Sequence, residues 1–204
     1  MRTLALDCAT EACTVALFEG DALIAHRHET IGRGHAEHLI PLIAALPDKG
    51  RVERIDVGLG PGSFTGTRIG LSAARALALA WGSTVRGFAT PSLVAASARK
   101  RFPEEAMSLV LKAGHGQALV QSFDRAGIPE SVIVPVELGK VAHARLHPLV
   151  VSDFALTLAD SLPEGHRIEH GLPDAKDAKA LPPTDFTDRL APIYARPPDA
   201  TPQG

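Results

Sequence analysis

Short apolar runs cut by turn residues alternate along this chain with longer runs of helical period. Thr3–Asp7, Cys13–Phe18 and Ala22–His28 read as three strands, the last two meeting at the turn signal Glu19-Gly20-Asp21. Over residues 34–46, Leu39, Leu42, Ile43 and Leu46 recur at helical spacing, with Pro41 inside the run. A proline there removes one ladder bond and predicts a kink or a late start. Ile55–Leu59 is a short apolar run, and the alanine-rich stretch Ser72–Trp81 reads as a helix. Ser83–Phe88 is a further strand; Thr90 then caps a helix whose first residue is Pro91. Beyond Arg101 the pattern thins. Met107–Leu111 and Ala118–Phe123 read as strands about a hairpin at Gly114-His115-Gly116, Ser131–Val136 and Leu149–Ser152 as short strands, and Ala155–Ser161 as a helix. Pro192–Gly204 carries four prolines and reads as extended or disordered, with Tyr194 and Arg196 as docking residues.

Between a strand and a helix lies the stretch richest in chemistry, Gly60-Pro61-Gly62-Ser63-Phe64-Thr65-Gly66, running on through Arg68 and Gly70 to Leu71. Gly60 and Gly62 offer backbone at positive φ, and Pro61 fixes its own φ. Ser63 and Thr65 can each cap free N–H groups of the first helical turn. Such a helix start suits an anion. It is equally a tight strand-to-helix connection, and both readings stand. No Gly-Lys-Ser/Thr follows, so it is not a Walker A loop. Further on, Gly66, Gly70, Ala74 and Ala78 form a stripe of small residues that faces either the protein's own sheet or another subunit. Arg68, Ser72, Arg75 and Leu79 share another face, which reads as a partner surface or as a solvated face.

The totals narrow the class without naming a chemistry. The 204 residues suit one domain or two small lobes, and 45% hydrophobic with 22% charged is ordinary for a soluble globular protein. A net charge of −2 carries no nucleic-acid footprint. No apolar run reaches the ~18 residues a membrane helix needs. Asp7 interrupts any signal-peptide core, and two cysteines give no disulfide framework, so a cytoplasmic protein with reduced thiols is expected.

Several histidines invite a metal reading, and no metal ligand set is expected from them. His26 and His28 share a strand face but lack a third ligand at suitable spacing. His35 and His38 fall on about one helix face and read as a polar helix start. Cys8 and Cys13 have small apolar neighbours and read as buried. His166-Arg167-Ile168-Glu169-His170 spells an inverted zinc-protease signature, which works only on a helix, whereas Pro163, Gly165 and Gly171 bracket it closely. His143 and His147 flank Arg145 just before Pro148 and read as a solvated helix end.

Three stretches together resemble the bacterial TsaB family, also called YeaZ. The segment Gly60–Gly70 resembles its signature, Leu4–Cys13 its opening strand, and Arg33–Leu42 its Arg-x-His-Ala-Glu segment. The likeness covers the first half of the chain, with Pro192-x-Tyr194-x-Arg196 near the end. It implies an α/β fold of the actin-like ATPase (ribonuclease H-like) type with two related lobes, the second reduced. The expected boundaries are 1–101 for the first lobe, 102–191 for the second and 192–204 for the tail. In that superfamily the first turn faces a nucleotide's phosphates and metal; the matching residues are Asp7 and Thr10, with Cys8 and Ala9 where relatives carry hydroxyls. Asp7 also reads as a polar cap on a strand end. In TsaD, the catalytic relative, the helix start corresponding to Ala89–Val94 carries metal-binding histidines; here it has none. Where the family's hairpin carries Asp-Ala-Arg and Glu-Val-Tyr, this chain has Lys112-Ala113-Gly114 and Gln117-Ala118-Leu119.

The resemblance therefore implies an accessory, non-catalytic subunit in the synthesis of threonylcarbamoyladenosine beside the tRNA anticodon. The implied partners are a TsaD-like metal-dependent transferase, a TsaE-like ATPase, a second copy of the chain, and tRNA indirectly. The expected interface candidates are Asp7, Thr10, the Gly60–Gly66 loop, Arg68, Gly70, Ser72 and Arg75. No cofactor is expected to bind tightly, with ATP or ADP and Mg²⁺ at a subunit interface. The alternative is a small-molecule kinase of the same superfamily built on Asp7, Thr10 and Gly60–Thr65. It lacks a convincing second-lobe phosphate turn or adenosine turn within Met107–Asp153. A peptidase lacks its third ligand.

Overall fold

A computed structural model of the chain describes residues 1–195. Among them, β1 (Arg2–Asp7), β2 (Ala12–Glu19), β3 (Ala22–Thr30), β4 (Arg54–Gly58) and β5 (Thr84–Phe88) form one sheet in the order β3-β2-β1-β4-β5. A second sheet, in the order β10-β9-β6-β7-β8, comprises β6 (Met107–Lys112), β7 (Gln117–Phe123), β8 (Val134–Glu137), β9 (Leu149–Ser152) and β10 (Arg167–His170). In each sheet the first three strands are antiparallel neighbours and the last two join in parallel. The same sequence of hairpins and crossovers thus occurs twice, the signature of two related lobes.

The lobes differ in their helices. The first carries α1 (His35–Ala44), α2 (Phe64–Trp81) and α3 (Thr90–Arg99). At the corresponding places the second has a 3₁₀ segment at Leu138–His143, the short α4 (Ala155–Ala159) and a 3₁₀ segment at Ala175–Ala180. The second lobe is reduced because its crossovers are little more than single turns. A parallel sheet needs cover on both faces. Leu4, Leu6, Val15 and Val57 meet α1 and α2 on one side of the first sheet; Ala5, Ala16 and Phe18 meet Leu93, Ala96, Ala175 and Ala178 on the other. Helix α3 also turns Val94, Ala95 and Ala98 toward Met107, Leu109 and Leu111 of the second sheet. One helix shared by two sheets has to be apolar nearly all round, which explains its alanine-rich composition.

Three expectations change here. The segment after β10, which takes the place of the second lobe's third helix, packs back on the first sheet, with Thr187 bridging Gly87 of β5, rather than on the sheet of the lobe it was expected to belong to. The stretch Phe64–Leu71 belongs to α2 rather than to a turn ahead of it. Helix α1 keeps Pro41 in its interior and stops at Ala44, where a 3₁₀ segment, Pro47–Gly50, follows. Leu39, Leu42, Ile43 and Leu46 are buried as their spacing indicates. The end of the described chain is docked, with the Ile193 N–H donating to Leu59 O at 2.8 Å. Arg196 lies outside the described residues.

The small-residue stripe of α2 faces the protein's own sheet. Gly66, Gly70, Ala74 and Ala78 are buried, and a Cβ on Gly66 would stand 1.9 Å from Cys8 O. An exposed helical Gly→Ala change normally stabilises by about 1 kcal/mol. Gly66→Ala must instead push the helix off the β1–β2 turn, and we expect it to destabilise by about 2–3 kcal/mol. Gly114→Ala, with open space around it, should stay within about 0.5 kcal/mol of the parent. Urea unfolding of both variants checks the contrast.

Candidate functional site

At the C-terminal end of β1, Asp7 is fully buried. Its Oδ1 accepts from the Ala9 N–H at 2.7 Å and its Oδ2 from the Thr90 hydroxyl at 2.7 Å. The same hydroxyl accepts from the Gly60 N–H at 3.2 Å, and the Thr90 N–H donates to Gly60 O at 2.8 Å. Gly58 makes room for the carboxylate, since a Cβ there would lie 1.9 Å from Oδ2. This network ties together the ends of β1, β4 and β5. Burial pushes the Asp7 carboxyl up to about 6, against the pull of the Thr90 and Ala9 hydrogen bonds. Thr90, expected as an N-cap, is instead the first helical residue of α3, and its hydroxyl holds Asp7.

The Gly60–Gly66 loop closes over the β1–β2 turn. Gly60 alone of its first two glycines has positive φ, +81°; Gly62 is needed for a different reason, because a Cβ there would fall 2.1 Å from Ala9 O. The Gly60–Pro61 peptide is cis. The Ser63 N–H donates to Ala9 O at 2.6 Å, and Ser63 Oγ caps α2 by accepting from the Gly66 N–H at 3.1 Å. Thr65 does not share the capping role; it lies exposed within the first turn.

Between the lobes opens a cleft of about 970 Å³. Thr10, Glu11, Arg33 and the Gly62–Phe64 backbone border it on one side; Lys112, Gly114, His115 and Asp153 border it on the other. Asp7 is not among its lining residues, so the acid expected to face phosphates and metal is turned into the protein. Thr10 does line the cleft, but it is largely buried and its hydroxyl accepts from the Ala12 N–H at 3.1 Å. Asp153 accepts from the Lys112 N–H at 2.8 Å, and burial pushes its carboxyl up to about 6.

Both arginines of the expected partner face are engaged by the chain's own C-terminal segment. Arg68 donates to the Tyr194 hydroxyl at 2.9 Å and lies 3.4 Å over the Phe64 ring, while Arg75 donates to Leu190 O at 2.6 Å. Thr65, Ser72 and Leu79 remain exposed, Leu79 at 89%. Ile40 of α1 is also exposed. Gly70 is buried against Leu6 and Cys8, which removes it from any partner surface.

The histidines divide. His170 and Glu169 lie on strand β10, so the His166–His170 stretch has no helix on which to present a protease ligand set. His35, expected with His38 to form a polar helix start, is buried with its Nε2 3.2 Å from Ala12 O and anchors α1 to the sheet; His38 pairs with Glu29 outside. His147 pairs with Glu130. Cys8 and Cys13 are buried, sulfur to sulfur at 3.8 Å. Beside His26 and His28 the fold brings Asp174, which local spacing could not reveal.

Two duplicated lobes about a cleft, helices on both faces of the first sheet, and a Gly-rich loop at its strand ends define an actin-like ATPase fold. Comparisons with known proteins agree. The family model for TsaD, tRNA N6-adenosine threonylcarbamoyltransferase, matches residues 27–150. The Escherichia coli K12 tRNA threonylcarbamoyladenosine biosynthesis protein TsaB is 31% identical over 73% of this chain and 68% of its own length. Two solved Pseudomonas aeruginosa structures share the fold. One, described as similar to peptidase YeaZ, has TM-score 0.80 at 24% identity, covering 96% of this chain and 99% of its own. The other, YeaZ itself, has TM-score 0.78 at 23% identity, covering 95% and 99%. The chain belongs to the TsaB (YeaZ) family.

The inward Asp7 has a pH signature. Its folded value lies above the ordinary 3.8, so the unfolded chain ionises first as pH rises, and the group's stabilising contribution is lost between about 4 and 6. Asp7→Asn has no such ionisation. Relative to that variant, the parent should lose up to about 3 kcal/mol as pH rises through this window and nothing further above it. Paired urea unfolding curves at pH 4 to 8 measure the difference, and Asp153 cancels in the comparison.

Proposed function

We propose that this chain is a non-catalytic, accessory subunit in the synthesis of threonylcarbamoyladenosine on tRNA. In this reading a TsaD-like transferase holds the metal and carries out the transfer, and a TsaE-like ATPase completes the assembly. The observation that carries the proposal is the closed network of Asp7, Thr90 and Gly60, in a chain whose family is known by name from that pathway. An acid that already accepts from Thr90 and Ala9 is in no position to hold Mg²⁺ against a nucleotide, and the α3 start that would carry metal-binding histidines offers Thr90 and Pro91. The residues present do not fit a tightly held Mg²⁺–nucleotide, and a kinase built on Asp7 loses its central group. We infer a subunit interface, rather than this network, as the place for ATP or ADP with Mg²⁺.

The partner surface we assign is the outer face of α1 and α2, with Ile40, Thr65, Ser72 and Leu79 exposed on it. It serves the TsaD-like partner and, in isolation, a second copy of the chain. With a net charge of −2, this subunit leaves most tRNA phosphate contacts to its partner. No helix among the described residues is long and apolar enough to cross a membrane. We place the subunit in the cytoplasm, with its tRNA.

Reconstitution tests the reading. With TsaD-like and TsaE-like proteins, threonylcarbamoyl-adenylate and tRNA, the modified base should form only when this chain is added; formation without it overturns the proposal. Leu79→Glu should abolish co-elution with the TsaD-like protein while changing the chain's own stability by less than about 0.5 kcal/mol, because the side chain is exposed. Size-exclusion chromatography and urea unfolding of the same sample separate the two effects.

A further inference from the structure

His26 and His28, neither of which lines the cleft, stand on the edge strand β3, paired in register with Ala16 and Thr14 of β2. Their face is the one over which the chain returns from the second lobe. There Asp174 is set in place twice: its N–H donates to Ser97 Oγ at 3.2 Å, and the following Ala175 N–H donates to Thr14 Oγ1 at 3.0 Å. Its carboxylate thereby stands against both imidazoles, with Oδ1 2.6 Å from His26 Nε2 and Oδ2 3.9 Å from His28 Nδ1. One ligand atom from each of the three residues lies within 4.8 Å of the others. Yet His26 Nε2 and His28 Nδ1 are buried without a hydrogen-bond partner of acceptable geometry. Two ring nitrogens and a carboxylate crowd one spot without bonding one another in the directions hydrogen bonds require.

We propose that His26, His28 and Asp174 form a binding site for a Zn²⁺-class divalent transition metal. Two imidazoles and one carboxylate are a three-ligand set that leaves a position for water, and nitrogen donors favour zinc over Mg²⁺ or Ca²⁺. The ion would join the returning segment to an edge strand whose sheet partner is β2 alone. It therefore acts as a clip between β3 and the start of the Ala175–Ala180 segment, independent of the tRNA-modification reading. Lys176 sets its affinity. The Lys176 ammonium pairs with Asp174 Oδ2, on a side chain nearly half exposed, and its positive charge opposes a bound cation.

The test uses the full chain with any tag removed and metal stripped. Calorimetric titration with Zn²⁺, and Co²⁺ titration read by visible absorbance, should each saturate at one ion per chain; Mg²⁺ should give no binding. Zn²⁺ should raise the melting temperature. His26→Ala and His28→Ala, at partly exposed edge-strand positions, should fold and weaken binding by roughly tenfold to a hundredfold each, and the double variant should not bind at all. Lys176→Gln should bind several-fold tighter than the parent. The proposal is overturned if the parent shows no saturable Zn²⁺ binding. It is overturned equally if the double variant binds as the parent does, which would place the ion on other histidines, or if Lys176→Gln leaves the affinity unchanged.

Discussion

Everything at the cleft end of the first lobe depends on one buried carboxylate. Asp7 is placed where strand ends converge, and it is satisfied from within: by a backbone N–H of its own turn and by the hydroxyl of Thr90 at the start of α3. Removing a carboxylate from water is costly unless hydrogen bonds replace the lost solvation. Two are provided, and the remaining cost appears as a carboxyl that holds its proton to about 6. Around that group the chain is packed as closely as covalent geometry allows. Gly58 yields space to the acid itself, and Gly62 and Gly66 yield space to the carbonyls of Ala9 and Cys8. A loop that looks permissive in sequence is a tight joint.

This joint gives the Gly-rich stretch the geometry of a tight strand-to-helix connection. A phosphate-binding loop keeps its backbone donors and its acid turned outward. Here the Ser63 N–H donates to Ala9 O, the Gly66 N–H donates to Ser63 Oγ, and Asp7 accepts from the Thr90 hydroxyl. The cleft between the lobes persists as a feature of the duplicated fold, with Arg33, Lys112 and Asp153 along its walls. The outer face of α1 and α2 stays exposed at Ile40, Ser72 and Leu79, and part of it is held by the C-terminal segment through Arg68 and Arg75.

Much of this architecture is legible in the sequence because it is written in local periods. The strands of the first lobe and all but β10 of the second, the buried face of α1 and the small-residue stripe of α2 follow from spacing, and the ordered motifs of the first half carry the family. What escapes is long-range. Nothing near Asp7 announces that Thr90 will take its second oxygen, and nothing near His26 and His28 announces Asp174. The arginines on α2 read as partner-facing because Tyr194 and Leu190, which engage them, lie more than a hundred residues away. Gly62 reads as a residue of positive φ, but its role is contact with a carbonyl, a distinction only the tertiary packing makes. The second lobe is harder to read because its crossovers are too short to establish a helical period.

The inward orientation of Asp7 is the claim on which the scaffold account rests, and carbon-13 NMR of labelled aspartate measures it directly. The account predicts that the Asp7 carboxyl resonance titrates with a midpoint of about 6 and that adding Mg²⁺ with ADP leaves the midpoint in place. A midpoint near the ordinary ~3.9 that moves when Mg²⁺ and ADP are added would contradict it, because it would mean an exposed acid poised over a nucleotide.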